Sequence, residues 1–168
     1  MILVVETLSS LARQPTDSQV EEKPEWYYLI NSDYITEMYD IDGSDSEIHY
    51  KFNVYSDRKE PFVFTVEDAA PYIVNYADTA AASPKIALDV FEDSLGNPVQ
   101  SFNQVTGLTP VTWYFDIKDI TWAEGSDATA KAGYSRIFIC KGGNKIVPYI
   151  VDHTVIEIWL KAAYGDQL

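Results

Sequence analysis

An acidic stretch in the first third of the chain carries the clearest potential for ligand chemistry. Its carboxylates stand two or three residues apart and belong to Asp40, Asp42, Asp45 and Glu47. Calcium takes six to eight oxygen ligands, and carboxylates on a tight loop can supply several of them. An EF-hand loop, however, has its glycine at the sixth position, whereas Gly43 is the fourth residue of this stretch. The pattern therefore favours a solvated hairpin turn, with calcium binding as the alternative and no other cofactor implied.

The residues that serve in nucleophilic catalysis are few. The chain has two histidines, His49 and His153, and one cysteine, Cys140, and it lacks a Gly-x-Ser-x-Gly elbow. Asp152 precedes His153 on a predicted strand, where neighbouring side chains point to opposite faces, so these two residues cannot form an Asp–His pair. Cys140 ends an apolar run, which is typical of a buried and inert thiol.

The sequence supports metal-dependent catalysis and glycoside hydrolysis no better than nucleophilic catalysis. The zinc-binding spacings CxxC and HExxH are absent. Glycoside hydrolysis needs two carboxylates that meet in space, and Glu92, Asp93 and Glu157 are available, but surface charge explains each of them more simply. We therefore predict that the protein is not an enzyme. A deep pocket in which His49 or His153 contacts an acid and a hydroxyl would contradict this prediction.

The charge of the chain restricts its partners. Its 12 Lys and Arg residues face 26 Asp and Glu residues, which gives a formal net charge of −14 and a pI near 4.3. Nucleic-acid affinity comes largely from clustered cations, and anionic membranes repel an acidic chain, so we expect neither partner. The expected partners are further copies of the chain or neighbouring structural subunits, including subunits with a basic surface.

Sequence features also bear on the compartment. A single cysteine excludes an internal disulfide, so cysteine usage gives no support for an extracellular origin. The apolar start of the chain has no preceding Lys or Arg and is too short for a signal peptide. No stretch approaches the roughly 18 consecutive apolar residues of a membrane span. The sequence predicts a cytoplasmic location, or the virion if the protein is viral.

Residue patterns beyond the N-terminus indicate strands. Aromatic residues make up 14% of the 168 residues, and aromatic side chains favour strands. The predicted strands cover 26–30, 34–41, 47–55, 62–66, 86–92, 99–105, 111–122, 134–141, 145–151 and 153–160. A short helix is predicted over 69–80. About nine or ten short strands with frequent turn signals predict a mainly β fold, an antiparallel sandwich or barrel with at most one or two short helices.

The N-terminal segment differs from the rest of the chain. Residues 1–25 combine an apolar tip with a polar, proline-bounded stretch, so we predict an arm or edge strand plus linker there and a single β-rich domain over 26–168. The tip, which contains Ile2, Leu3, Val4 and Val5, can fold back as an edge strand of its own sheet. As the alternative, it can pair with a neighbouring subunit, because an extended peptide readily augments a sheet edge.

The number of aromatic rings suggests that some are exposed. Twelve Tyr, seven Phe and four Trp exceed what one core of this size usually holds. We expect at least two of the tryptophans in the core. The tyrosines with polar neighbours are the candidates for exposure, namely Tyr27, Tyr28, Tyr34, Tyr39 and Tyr55. Together with the apolar tip, Tyr27 and Tyr28 form the predicted protein–protein interface.

Two functions fit these features. The first is a structural or assembly subunit without catalytic activity. In composition and architecture the chain is similar to the β-rich virion proteins of bacteriophages (capsid, neck or tail subunits), a likeness that rests on no motif. The second is a carbohydrate-binding β-sandwich module, in which exposed Tyr or Trp rings stack on sugars.

Overall fold

The part of the chain that the structure describes forms ten strands and one α-helix. The computed structural model describes residues 2–6, 24–41, 45–54, 62–66, 85–126, 133–143 and 145–164, and every structural statement below concerns these residues. The strands and the helix are β1 (Ile2–Glu6), β2 (Pro24–Asn31), β3 (Ile35–Asp40), β4 (Ser46–Tyr50), β5 (Phe62–Val66), β6 (Lys85–Phe91), β7 (Pro110–Asp116), β8 (Ile120–Ser126), β9 (Ser135–Cys140), β10 (Ile146–Val151) and α1 (Val155–Tyr164). The helix predicted over 69–80 lies outside the described residues.

The strands divide into two antiparallel sheets. The large sheet has seven strands in the order β1-β2-β8-β9-β10-β6-β7, and the small sheet has three in the order β3-β4-β5. Trp122 and Phe138 of the large sheet pack against Ile48 and Phe64 of the small sheet in one buried cluster. This confirms the predicted mainly β antiparallel fold. Of the two predicted forms, the arrangement of strands is consistent with a sandwich and is not a closed barrel.

The other face of the large sheet is covered by α1. The helix contacts β1, β2, β6 and β8, and its buried residues Val155, Ile158 and Ala162 join the same apolar cluster as Leu29 and Leu88. The large sheet is thus apolar on both faces. This explains why β9 and β10 of this sheet consist largely of continuous apolar residues and do not alternate between apolar and polar residues.

The segment predicted as a strand over 99–105 is not one. After β6 the chain makes a single bridge between Glu92 and Pro98 and then a 3₁₀ turn over Phe102–Gln104. Its buried residues Val99, Phe102 and Val105 are spaced by three, which suits tight turns and not the period of two of a strand. They cover Phe91 and Ile150 in a third apolar cluster.

The long strand predicted over 111–122 is two strands. A 3₁₀ turn over Ile117–Asp119 separates β7, at one edge of the large sheet, from β8 in its interior. The side-chain amide of Asn31 donates to the carbonyl oxygens of Lys118 (3.2 Å) and Ile120 (2.9 Å), which gives these backbone groups hydrogen-bond partners at the break. Asn31, which is distant in sequence, thus stabilises the break between β7 and β8. The local alternation of apolar and polar residues did not reveal this break.

The prediction of a final strand over 153–160 is wrong, because residues 155–160 belong to α1. The backbone N–H of Glu157 donates to the hydroxyl of Thr154 at 3.1 Å, so Thr154 caps the helix in a Thr-x-x-Glu pattern. Val155, Ile158 and Ala162 then follow at helical spacing on the buried face. The alternation that suggested a strand placed Ile156 inward, whereas its side chain is exposed.

Candidate functional site

A cluster of polar and aromatic side chains lies on the outer face of the small sheet. In the pairing of β3 with β4, Tyr39 lies opposite Glu47, and Glu37 lies opposite His49. Glu47 Oε1 accepts hydrogen bonds from the Tyr39 hydroxyl and is 2.8 Å from His49 Nε2. The Tyr39 hydroxyl is itself 3.5 Å from the same histidine nitrogen. We call Tyr39, Glu47 and His49 the tyrosine cluster.

The electrostatics of the tyrosine cluster follow from its hydrogen bonds. The Tyr39 hydroxyl, followed by His49, lowers the pKa of the Glu47 carboxyl because both hydrogen bonds favour its ionised form. The same hydrogen bond raises the pKa of Tyr39, since ionising the phenol would remove the donor beside a carboxylate. Glu47 is therefore held as an acceptor between an aromatic hydroxyl and an imidazole.

The cluster brings a histidine, an acid and a hydroxyl together on a face that is open within the described part of the chain. Tyr39 is 48% exposed, and Glu47 and His49 are partly exposed on an open sheet face. Such a surface leaves water in contact with any reacting group, whereas catalytic electrostatics depend on its exclusion. The geometry suits recognition through an aromatic ring and a carboxylate. Sequence reasoning missed the cluster, although a hairpin centred on Gly43 already places Tyr39 opposite Glu47.

The four carboxylates predicted as calcium ligands are only partly described. Asp42 lies outside the described residues. Asp40 pairs with Ser46 in the strand register and Glu47 pairs with Tyr39, so Asp40 and Glu47 point to opposite faces of the sheet. Among the residues that the structure describes, no group of three His, Cys, Asp or Glu side chains is arranged to hold a metal ion. Calcium binding at this turn stays a prediction.

The second histidine connects two elements of the fold. His153 Nε2 accepts a hydrogen bond from the backbone N–H of Asp89 at 3.0 Å, and its Nδ1 is 3.8 Å from the carboxylate of Glu157. The imidazole is largely buried and joins β6 to the first turn of α1. Its acidic neighbours come from β6 and α1, and the adjacent Asp152 is exposed. These contacts are typical of a structural histidine.

Cys140 borders an open cavity at the end of β9. The predicted buried thiol is in fact partly exposed. The cavity has a volume of about 410 Å³, and its lining includes Lys85, Asp116, Asp119 and Lys141. Burial, together with a hydrogen bond to Cys140, raises the pKa of the Tyr34 hydroxyl. A second open cavity of about 500 Å³ lies over the turn after β6, beside Asp93 and Gln104. Neither cavity is lined by a histidine.

Four of the six residues predicted to form an interface contribute to the core of their own chain. Ile2, Val5 and Tyr28 are buried and Val4 is partly buried, because β1 pairs with β2 of the same chain in unbroken register. The side chains of Leu3 and Tyr27 lie outside the described residues. The pairing of β1 with β2 of its own chain is the first of the two arrangements that the sequence left open. Contact with a neighbour through these residues would require β1 to leave its own sheet.

The exposed aromatic residues differ in part from those expected. Tyr39 is exposed as predicted, Tyr34 is partly buried, Tyr28 is buried, and Tyr55 lies outside the described residues. Trp122 is fully buried, and Trp113 and Trp159 pack partly buried against the core. Among the described residues, the most exposed ring is one that the sequence did not indicate: Tyr114 on β7 is 72% exposed. Exposure was predicted for tyrosines with polar neighbours in the sequence, whereas the neighbours of Tyr114, Trp113 and Phe115, are apolar.

Comparisons of the chain with protein-family models, with curated proteins and with solved structures found no match. Within the described residues, no helix combines the length and apolar character that crossing a membrane requires.

Proposed function

We propose that the protein is a non-enzymatic assembly subunit that works through protein–protein contacts. Within that class, the acidic β-sandwich suits a structural protein of a virion, such as a bacteriophage capsid, neck or tail subunit. The observation that carries this proposal is the way β1 is attached to the fold.

Strand β1 is an edge strand whose side chains pack into two apolar clusters of the core. Its residue Ile2 belongs to the cluster under α1, and Val5 belongs to the cluster between the two sheets. Residues 7–23 separate β1 from β2, whereas a two-residue turn is enough to join antiparallel neighbours. The connection is therefore much longer than the pairing needs. A strand on so long a connection can complete the sheet of a second copy with the same contacts, which is a low-cost route to assembly.

The charge of the chain supports the same proposal. A net charge of −14 keeps individual subunits apart until specific contacts form, which suits a protein that must remain soluble before assembly. The open tyrosine cluster also suits surface contact more than catalysis. Detection of the chain in purified particles of its source would support the virion assignment, and its exclusion from them would overturn it.

A disulfide trap tests the attachment of β1 directly. Val4 and Leu29 are partners in the β1–β2 register, so the Val4→Cys/Leu29→Cys variant can form a cross-strand disulfide. We expect oxidised, assembled protein to run as a covalent oligomer on a non-reducing gel, because β1 has exchanged between copies. The two single-cysteine variants control for disulfides that involve Cys140. A band at the monomer mass would show that β1 stays on its own chain.

Light scattering tests the wider proposal of assembly. We expect the full chain to form an oligomer, and we expect deletion of residues 1–23 to shift it toward the monomer. Circular dichroism of the truncated chain shows whether its sheets still form. A full-length chain that stays monomeric at high concentration would overturn the proposed function.

The tyrosine cluster favours a second candidate function, carbohydrate binding. A half-exposed tyrosine ring beside a carboxylate offers a stacking surface together with a hydrogen-bond acceptor for sugar hydroxyls. A glycan array with the wild-type chain and the Tyr39→Ala variant tests this function. We expect binding that the substitution abolishes, and silence across diverse glycans would remove the candidate.

A further inference from the structure

Strand β7 ends the large sheet and, apart from Pro110 at its first residue, lacks the features that usually protect such an edge. It is seven residues long and pairs with β6 without a bulge, from Lys85 opposite Asp116 to Phe91 opposite Pro110. Its residues 111–115 are all uncharged, and Val111 and Tyr114 are 47% and 72% exposed. None of the described residues pairs with its outer side. Long, uncharged and regular edges are templates for pairing with another chain.

The other sheet edges are better protected. Strand β1 is contacted by α1 and ends in Glu6. Strand β3 has an irregularity in its register between Ile35 and Glu37, and its charged residues Glu37 and Asp40 are exposed. Strand β5 is uncharged like β7, but it has only five residues. The edge at β7 is therefore the longest regular surface available for strand addition within the described part of the chain.

The direction of the strands restricts which partner can pair with β7. All neighbours in the large sheet are antiparallel, and the sheet has an odd number of strands, so β1 and β7 run in the same direction. A head-to-tail repeat that placed β7 beside β1 of the next copy would form a parallel pair. A two-fold axis that joins β7 to β7 instead forms an antiparallel pair, like every other pair in this sheet.

We propose that two copies of this chain associate through their β7 strands about a two-fold axis, forming one continuous antiparallel sheet. The inference rests on the proposed assembly function and specifies one of its contacts. It is independent of whether β1 exchanges between copies. Because the pairing is isologous, it closes at two copies and does not propagate through this edge.

The sequence of β7 is complementary to itself in this arrangement. With the axis at Trp113, Thr112 faces Tyr114 of the second copy, and Val111 faces Phe115 of the second copy. The only charged residue of the strand, Asp116, then lies about 20 Å from its counterpart, six residue steps along the sheet. No like charges oppose each other along the strand. The uncharged edge of β7 thereby allows contact between two copies of the chain whose net negative charges otherwise repel each other.

Sedimentation equilibrium of the full chain and two variants tests the proposal. Thr112→Lys/Tyr114→Lys places lysines opposite each other on both sides of the axis, so we expect the dissociation constant of the dimer to rise about tenfold or more. The matched control is Val63→Lys, which adds a lysine at a 48% exposed position on the edge strand β5 and leaves the dimer unchanged. Because each copy carries a charge of −14, added salt strengthens the wild-type dimer.

Hydrogen exchange of the wild-type chain provides a measurement that does not depend on any variant folding. We expect the amides of β7 to exchange more slowly as protein concentration rises through the dimerisation range. Unchanged exchange in β7 while the chain associates would overturn the β7 contact and leave the proposed assembly function standing. A chain that is monomeric throughout would overturn both.

Discussion

The guanidinium of Arg136 donates to the carboxylate of Glu124 inside the core, with Nε 3.1 Å from Oε1. The two residues are partners across β8 and β9, and their side chains are 4% and 0% exposed. The guanidinium also lies over the rings of Phe102 and Phe138. An ion pair thus joins the centre of the large sheet to the segment that covers it.

Breaking this ion pair should be costly. We expect Arg136→Met to lower the free energy of unfolding by about 3–5 kcal/mol, because it leaves the Glu124 carboxylate buried without its cation. The double variant Glu124→Gln/Arg136→Met should lose less than the sum of the two single losses, since no charge then remains buried. Urea denaturation measures all three variants. Additive losses would show that the two residues do not act as a pair.

A second buried contact joins the two sheets. The Tyr50 hydroxyl of β4 accepts a hydrogen bond from the backbone N–H of Asn31 (2.9 Å) and donates to the carbonyl oxygen of Thr121. We expect Tyr50→Phe to lower the free energy of unfolding by about 1–3 kcal/mol, because these buried backbone groups lose their partner. Tyr164→Phe, at a 57% exposed position at the end of α1, should change it by less than about 0.5 kcal/mol. Equal effects at both positions would contradict the role of Tyr50.

The N-terminus of α1 depends on a single hydroxyl. We expect Thr154→Ala to lower the free energy of unfolding by about 1 kcal/mol, because the N–H of Glu157 loses its acceptor. Thr154→Ser retains the hydroxyl and serves as the matched control. Thermal denaturation followed by circular dichroism compares the two variants. The capping role requires that serine, and not alanine, preserve the wild-type melting temperature.

The tyrosine cluster makes a prediction about pH. The Tyr39 hydroxyl is the main cause of the lowered pKa of Glu47. We expect Tyr39→Phe to raise the pKa of Glu47 toward its ordinary value, which NMR titration of the carboxyl carbon measures. A pKa that is lower in the folded state stabilises the fold above the unfolded-state pKa, and this contribution is lost as pH falls through the folded value. Tyr114→Phe is the control and should leave the titration of Glu47 unchanged.

Calcium binding at the turn between β3 and β4 can be tested by thermal denaturation. If the turn binds calcium, the melting temperature rises with calcium and not with magnesium, because a ligand that binds only the folded state adds about 2.7 kcal/mol at one hundred times its dissociation constant. Asp42→Asn/Asp45→Asn should remove the shift, and Asp152→Asn, at an exposed position elsewhere, should not. The same melting curve in calcium and in chelator would exclude the site.

The sequence by itself determined the class of fold and much of its local structure. Alternation and turn residues located β5 and β6 closely, and Gly142 and Gly143, both with positive φ, correctly marked the hairpin between β9 and β10. These features are local, because a turn or a pleat depends only on residues a few positions apart. The strong negative charge likewise follows from composition alone.

Only the tertiary structure decided which surfaces are buried and which are free. The division of ten strands into two sheets, the burial of Tyr28 and the exposure of Tyr114 depend on which distant strands become neighbours. The helical state of residues 155–164 depends in the same way on a sheet that needs its outer face covered. Local periodicity carries no information on such long-range pairing, so the sequence could indicate edge strands without showing that none of the described strands pairs with the outer side of β7.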